Sequence, residues 1–198
     1  MQMIDVYTKN IQGMWFGVAY TEQRVFSTAF ANSQQKALKS LLSDIPFNVP
    51  FQVHPEPSTF AETVLNSLKT IYDGNDVSQR FPLATEQLSS YTQKVLKAAS
   101  LIPTGYVTSY GAIAKAAGGS PRAVGRVMAS NPFAPIVPCH RVVSSDFTLG
   151  GYGGGLTAKL EFLIREKRGY TSAREISVGD KKLQVFPVER VLRKMKKE

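Results

Sequence analysis

Three stretches near the N-terminus, "MIDVYT", "MWFGVAY" and "RVFSTAF", are rich in β-branched and aromatic residues, and the turn-like "KNIQG" and "TEQ" separate them. Such runs predict strands, here an antiparallel meander. The pattern then changes period. In "NSQQKALKSLLSD" the apolar Ala37, Leu38, Leu41 and Leu42 recur at helical spacing behind a capping Asn32 or Ser33. A second helix, "STFAETVLNSLKTIYDG", opens with Thr59 and Glu62 in capping-box register and stops at Gly74. These elements predict a small α/β unit over residues 1–77. It carries no chemical constellation, and His54 in "FQVHPEP" reads as a loop residue.

A polar segment punctuated by Gly and Pro follows, and a linker is placed at 78–84. Beyond it the periodicity is mainly helical. "EQLSSYTQKVLKAASLIP" puts Tyr91, Val95, Leu96 and Ala99 on one face. "TGYVTS" reads as a short extended link. Ser109 then caps "SYGAIAKAAGG", which ends at Gly118 and Gly119, and Ser120 caps "SPRAVGRVMASNP", with Pro121 at the first helical position. Two short helices around "GGS" suggest a helix-turn-helix. Sequence-reading helices carry Asn, Gln, Arg or Lys toward base edges. This one offers Ala123, Val124, Gly125, Val127, Met128 and Ala129, with only Arg122 and Arg126 charged, which suits recognition of shape or damage. Further on, glycines 150–155 surround Tyr152, a helix from about 157 to 167 turns Leu160, Leu163 and Ile164 inward, and "EISVGDKKLQVF" predicts a hairpin. "PVERVLRKMKKE" predicts a short basic helix with Val188, Val191, Leu192 and Met195 as its apolar stripe.

Composition narrows the chemistry. The 198 residues carry a net charge of +9 and a pI near 9.7, which suits a polyanionic partner, though much of the charge sits in the last thirty residues. No apolar run reaches membrane-spanning length, and the N-terminus lacks a secretory pattern, so an intracellular protein with no membrane partner is expected. One cysteine excludes an internal disulfide and a thiolate-rich zinc site.

That one cysteine, Cys139, lies beside one of only two histidines, in "NPFAPIVPCHRVVSS". The flanking Ile136, Val137, Val142 and Val143 predict buried extended chain, in which Cys139 and His140 point to opposite faces. A bridging water or a bend after Pro138 would then be needed to join them as nucleophile and base. A catalytic His140 would also need an orienting carboxylate, and Glu161 and Glu166 are the downstream candidates.

"PCHRVV" preceded by "NP", with "SY" and "RAVG" upstream and "GYGGG…K" downstream, resembles the O6-alkylguanine-DNA alkyltransferases, over about residues 83–170. The resemblance implies an α+β protein. A ribonuclease H-like α/β domain (1–77) would be followed by a mainly helical domain with a helix-turn-helix (85–170) and a basic extension (171–198). It implies stoichiometric, irreversible transfer of the alkyl group from O6-methylguanine in double-stranded DNA to Cys139, after base flipping, with O4-methylthymine as an alternative substrate. His140 would take the thiol proton through a water, Glu166 would orient His140, and Asn131 would fix the active-site turn. Tyr110 would assist rotation of the phosphate and hydrogen-bond the purine, with Lys159 close to it. Tyr152, Gly153, Pro138, Met128 and Val142 would line the substrate pocket. Arg122 would fill the stack left by the base, with Ala123, Gly125, Arg126, Ser109, Ser120 and Arg141 completing the DNA-facing set.

No metal and no cofactor is implied, and a cytoplasmic (or, in a eukaryote, nuclear) monomer able to cluster on DNA is expected. Arg126 stands where many relatives carry a small residue and Gly153 where some carry Ser, and the chain beyond about Gly169 matches no motif. Other readings fare worse. Damage-flagging relatives, which bind alkylguanine without removing it, replace the cysteine that this chain keeps. A helix-turn-helix regulator would need base-reading side chains over 120–131. A cysteine hydrolase would need an oxyanion hole, for which there is no clear signal.

Overall fold

The structure is a computed structural model that describes residues 3–196. The described chain folds into two compact units that are not contiguous in sequence: 3–72 with 76–87 and 132–136, and 73–75 with 88–131 and 137–196.

In the first unit the predicted meander forms as β1 (Ile4–Ile11), β2 (Met14–Thr21) and β3 (Arg24–Ala31), antiparallel throughout. A short strand that the sequence pattern does not reveal, β4 (Phe51–Val53), pairs parallel to β1 and gives the order β3-β2-β1-β4. Its three side chains are exposed, so it leaves no apolar alternation to read. Helices α1 (Gln34–Asp44) and α2 (Thr59–Tyr72) pack on this sheet. Ile4, Val6, Ala19, Ala29, Ala37 and Leu41 form one core cluster, and Leu41 approaches so closely that a Cβ on Gly17 would lie 2.7 Å from it. Ser33 caps α1. The capping box expected from Thr59 does not form. Ser58 is the cap, its Oγ accepting from the Ala61 N–H at 3.1 Å, which puts Glu62 one position too late to reach back; Glu62 pairs with Lys9 instead, at 2.9 Å. His54 follows β4 and meets Asp5 at 2.7 Å.

The segment expected to be a linker is bonded to the edge of β3: the Val25 N–H donates to the Pro82 carbonyl and the Ala84 N–H to that of Val25, both at 2.8 Å. Residues 132–136, expected in the other domain, also belong here. Thr28 donates its N–H to the Pro132 carbonyl and its Oγ1–H to that of Ala134, again both at 2.8 Å.

The second unit is less purely helical than expected. Helices α3 (Ser90–Ser100), α4 (Tyr110–Ala117) and α5 (Pro121–Ala129) are joined by a four-stranded sheet in the order β6-β5-β8-β7, formed by β5 (Tyr106–Ser109), β6 (Val142–Val143), β7 (Arg174–Val178) and β8 (Lys181–Pro187). "TGYVTS" is therefore an inner strand, and the hairpin of the basic extension is part of the same sheet through the β5–β8 pairing. Val107, Val143, Leu149, Leu163, Val188 and Val191 form its core cluster. Helix α6 (Leu156–Arg165) buries Lys159, Phe162 and Leu163, whereas Ile164, expected inward, is 53 % exposed. Helix α7 (Glu189–Met195) ends the fold; residues 197 and 198 of the predicted basic helix lie outside the described residues.

The α4–α5 turn is set by its residues. Ser109 Oγ accepts from Ala112 N–H and Ser120 Oγ from Ala123 N–H, at 3.1 and 3.2 Å. Between the helices Gly119 has φ of +86°, and a Cβ there would lie 2.5 Å from Tyr91 Oη, so backbone sign and close approach both require glycine.

Candidate active site

Cys139 is a free, buried thiol at the start of a single 3-10 turn, Cys139–Arg141. The extended chain expected here is broken because Pro138 (φ −80°, ψ 68°) swings its carbonyl round to accept from the Arg141 N–H at 2.9 Å. Extended chain resumes at β6. The carbonyl before the proline is held twice: Val137 O accepts from the Cys139 N–H at 2.8 Å and from Asn131 Nδ2 at 2.9 Å. Asn131 follows α5 by two residues, so the end of that helix and the cysteine turn share a hydrogen bond.

The side chain of His140 is fully buried, with its ring stacked on Phe162 at 4.5 Å between centroids. Its Nε2 meets Glu166 Oε1 at 2.8 Å, and its buried Nδ1 has no hydrogen-bond partner. Of the two candidate carboxylates the fold selects Glu166, which caps the C-terminus of α6; Glu161 faces outward and pairs with Arg165 at 3.1 Å.

Glu166 is shared. Arg141 Nε donates to Oε2 at 3.0 Å and Nη2 to Oε1 at 2.8 Å, while the rest of its fork reaches Ile102 O and Thr104 Oγ1, each at 2.7 Å. The resemblance places Arg141 in the DNA-facing set. Its guanidinium is instead buried and bonded to Glu166, Ile102 and Thr104 within the protein, which argues against a place in that set. Two further residues of the site, Phe162 and Thr104, do not emerge from the sequence motifs. Phe162 is legible in principle, since Lys159, Phe162 and Glu166 recur at helical spacing on the buried face of α6.

Lys159 is buried with its ammonium among backbone carbonyls, donating to Val142 O (2.6 Å), Leu149 O (2.5 Å) and Gly151 O (3.2 Å). Tyr110 Oη lies 3.5 Å from it and donates to Gly151 O at 3.0 Å. The Tyr152 hydroxyl is buried against the Cys139 thiol, and its ring meets Phe162 edge-on. Pro138, Met128 and Val142 are buried, whereas Gly153 is exposed; a Cβ there would find room, its nearest neighbour being Ala129 O at 3.8 Å.

On α5, Arg122 and Arg126 are exposed and Ala123 and Gly125 half-buried. Val124, Val127 and Met128, named among the residues that this helix offers in place of base-reading side chains, are in the core. Ser109 and Ser120 are the helix caps.

The electrostatics favour a neutral pair. Burial pushes the Cys139 thiol up, against smaller opposing effects of Asn131 and Lys159. Burial pushes the His140 imidazole down, against the pull of Glu166. For Glu166 burial would raise the carboxyl, but His140 and Arg141 outweigh it and hold it at about 2. Burial lowers Lys159 to about 8, so it is still largely an ammonium at neutral pH. A neutral His140 bonded through Nε2–H to a carboxylate presents the Nδ1 lone pair as a base. A thiol, an imidazole with an open Nδ1, a carboxylate and a nearby cation are thus gathered in one buried site.

Residues 90–168 match the model of the 6-O-methylguanine DNA methyltransferase, DNA binding domain. The methylated-DNA–protein-cysteine methyltransferase of Pyrobaculum aerophilum is 57 % identical over 65 residues, which are 33 % of this chain and 44 % of that protein. The protein of the same name from Mycobacterium leprae is 41 % identical over 116 residues, 57 % of this chain and 68 % of that one. This chain belongs to the methylated-DNA–protein-cysteine methyltransferase family. Among solved structures, Mycobacterium tuberculosis OGT in complex with DNA matches 82 % of this chain and 92 % of its own with a TM-score of 0.65, at 27 % identity. The match to the Pyrobaculum methyltransferase thus spans less than half of that relative's length. The family model for the methyltransferase DNA-binding domain ends before β7, β8 and α7. Among the described residues no helix is long and apolar enough to cross a membrane, and no three His, Cys, Asp or Glu are grouped to hold a metal ion.

Proposed function

We propose that this protein repairs DNA by moving the alkyl group of O6-methylguanine onto Cys139, once per molecule. The observation that carries this reading is the buried Cys139–His140–Glu166 set, with the imidazole bonded to carboxylate through one nitrogen and open at the other. His140 Nδ1 takes the thiol proton through a water, and Glu166 orients the ring and stabilises the imidazolium. The thiolate sulfur attacks the methyl carbon, a carbon–sulfur bond forms, and the carbon–oxygen bond breaks with its electron pair going to guanine. The departing guanine takes up a proton in the neighbourhood of Tyr110 and Lys159. The thioether has no easy hydrolytic exit, so turnover stops at one.

The methylated oxygen lies inside the duplex, which requires the nucleotide to be flipped out. The α4–α5 pair is then the helix-turn-helix that enters the minor groove, with Arg122 filling the vacated stack and the small Ala123 and Gly125 allowing close approach; Ser109, Ser120 and Arg126 flank it. Tyr152, Gly153, Pro138, Met128 and Val142 line the alkyl pocket. The strand order β3-β2-β1-β4, with only β1 and β4 parallel, supports a ribonuclease H-like reading of the first unit. The Mycobacterium tuberculosis neighbour crystallised with DNA supports a duplex as partner. Retention of Cys139 weighs against a protein that only flags damage.

Intact and peptide mass spectrometry after mixing with a duplex holding one O6-methylguanine tests this. One added methyl group on Cys139, saturating at one per protein, is expected; no gain with the duplex still bound points to damage flagging. Arg122→Ala separates extrusion from chemistry. Unstacking a base costs a few kcal/mol, so the rate on duplex DNA falls by more than about tenfold, while reaction with free O6-methylguanine is unchanged. Equal losses on the two substrates would remove Arg122 from the finger role.

A further inference from the structure

The β7–β8 hairpin lies outside the matched family model, yet its second strand packs against α4. Leu183 and Val185 of β8 are buried, Gln184 O accepts from Thr108 Oγ1 at 2.7 Å, and β8 is laddered to β5. The second strand is thereby fixed in place. At the hairpin tip, after the Gly179-Asp180 turn, stand Lys181 and Lys182. Lys181 Nζ donates to the carbonyl of Lys115 at 3.2 Å, and Lys115 is in the last turn of α4, three residues before Gly118. All three lysines are exposed, and among the described residues none of the three is ion-paired. Lys182 contacts only the Ser177 hydroxyl, at 3.2 Å.

Exposed lysines that make no ion pair within the protein are available to an external polyanion. In a helix-turn-helix complex the second helix lies in the groove and the first crosses the phosphate backbone. Lys181, clamped to the end of the first helix, then faces phosphates, with Lys182 next to it at the hairpin tip. We propose that Lys181 and Lys182, together with Lys115, form an additional phosphate-binding surface that grips the DNA backbone beside the groove entered by α5. The surface is sequence-independent and strengthens binding to damaged and undamaged duplex alike. It rests on the DNA-repair reading above.

The test is the salt dependence of full-length protein binding to a short undamaged duplex. Each neutralised phosphate contributes about 0.9 to the slope of log K against log salt. Lys181→Ala/Lys182→Ala should lower that slope by about 1.8, and Lys181→Arg/Lys182→Arg should restore it. Arg193→Ala/Lys196→Ala removes the same charge from side chains that line the cavity between α6 and α7, and should leave the slope as in the wild type. An unchanged slope in the hairpin variant overturns the proposal, as does an equal fall in both variants, which would mean a general field effect. A wild-type protein that binds no duplex overturns the DNA reading itself and this surface with it.

Discussion

Cys139→Ala takes up no methyl group from an O6-methylguanine duplex at any excess of DNA or any incubation time, yet binds that duplex as the wild type does. The loss is complete because the chain has no other thiol to accept the group. Binding survives because the exposed side chains of α5 are untouched and the Cys139 turn is held by bonds to backbone carbonyls, Arg141 N–H to Pro138 O and Asn131 to Val137 O. Deleting one buried sulfur costs about 1 kcal/mol of packing, part of which is offset because the site no longer buries a titratable group. Mass spectrometry and a binding isotherm on one sample check both halves. Methyl uptake by the variant would mean that the acceptor lies elsewhere.

Glu166→Ala is expected to fail in two ways. It leaves the Arg141 guanidinium buried with two of its bonds but no charge partner, and removing one member of a buried pair costs about 3–5 kcal/mol. It also frees the His140 ring, which loses its Nε2 partner, so transfer by the surviving folded fraction slows. Urea denaturation reads the first loss and single-turnover methyl uptake the second. The same carboxylate predicts the acid limit of the fold. Its value is lowered from an ordinary 4.5 to about 2 in the folded state. A depressed acid contributes stability that is fully present above about pH 4.5 and is lost as pH falls toward 2. The acid-unfolding transition of the wild type should therefore carry a component in that window that Glu166→Ala lacks. If the variant unfolds in acid with an unchanged profile, Glu166 is not the group being titrated.

The parts of this molecule that can be read from sequence are those whose chemistry is local. Ser109, Ser33 and Ser120 announce helix starts because their side chains act within three residues. The meander is legible because its strands are rich in β-formers and its turns are tight. The Cys139–His140 pair is legible through its rarity, and the choice of Glu166 over Glu161 through family resemblance. Arg141 misleads because a basic residue beside a DNA-repair motif suggests the surface, and only the fold reveals that Glu166, Ile102 and Thr104 converge on it. The turn at Pro138 is hidden by flanking valines, which mark strand on either side of three residues that are not. β5 looks like a link because it is four residues long and its partners lie far off in sequence, at Val142 and at Phe186.

The way the chain is threaded has a practical consequence. Between Asn131 and Val137 it leaves one unit for the other, is pinned there by Thr28, and returns only two residues ahead of the cysteine. No single cut can therefore bisect the molecule into an inert half and a working half. A fragment starting at residue 88 would keep every catalytic side chain but strand the 132–136 excursion, whose anchors on Thr28 would be gone. Through Thr28 the strand meander holds the stretch of chain that leads into the cysteine turn.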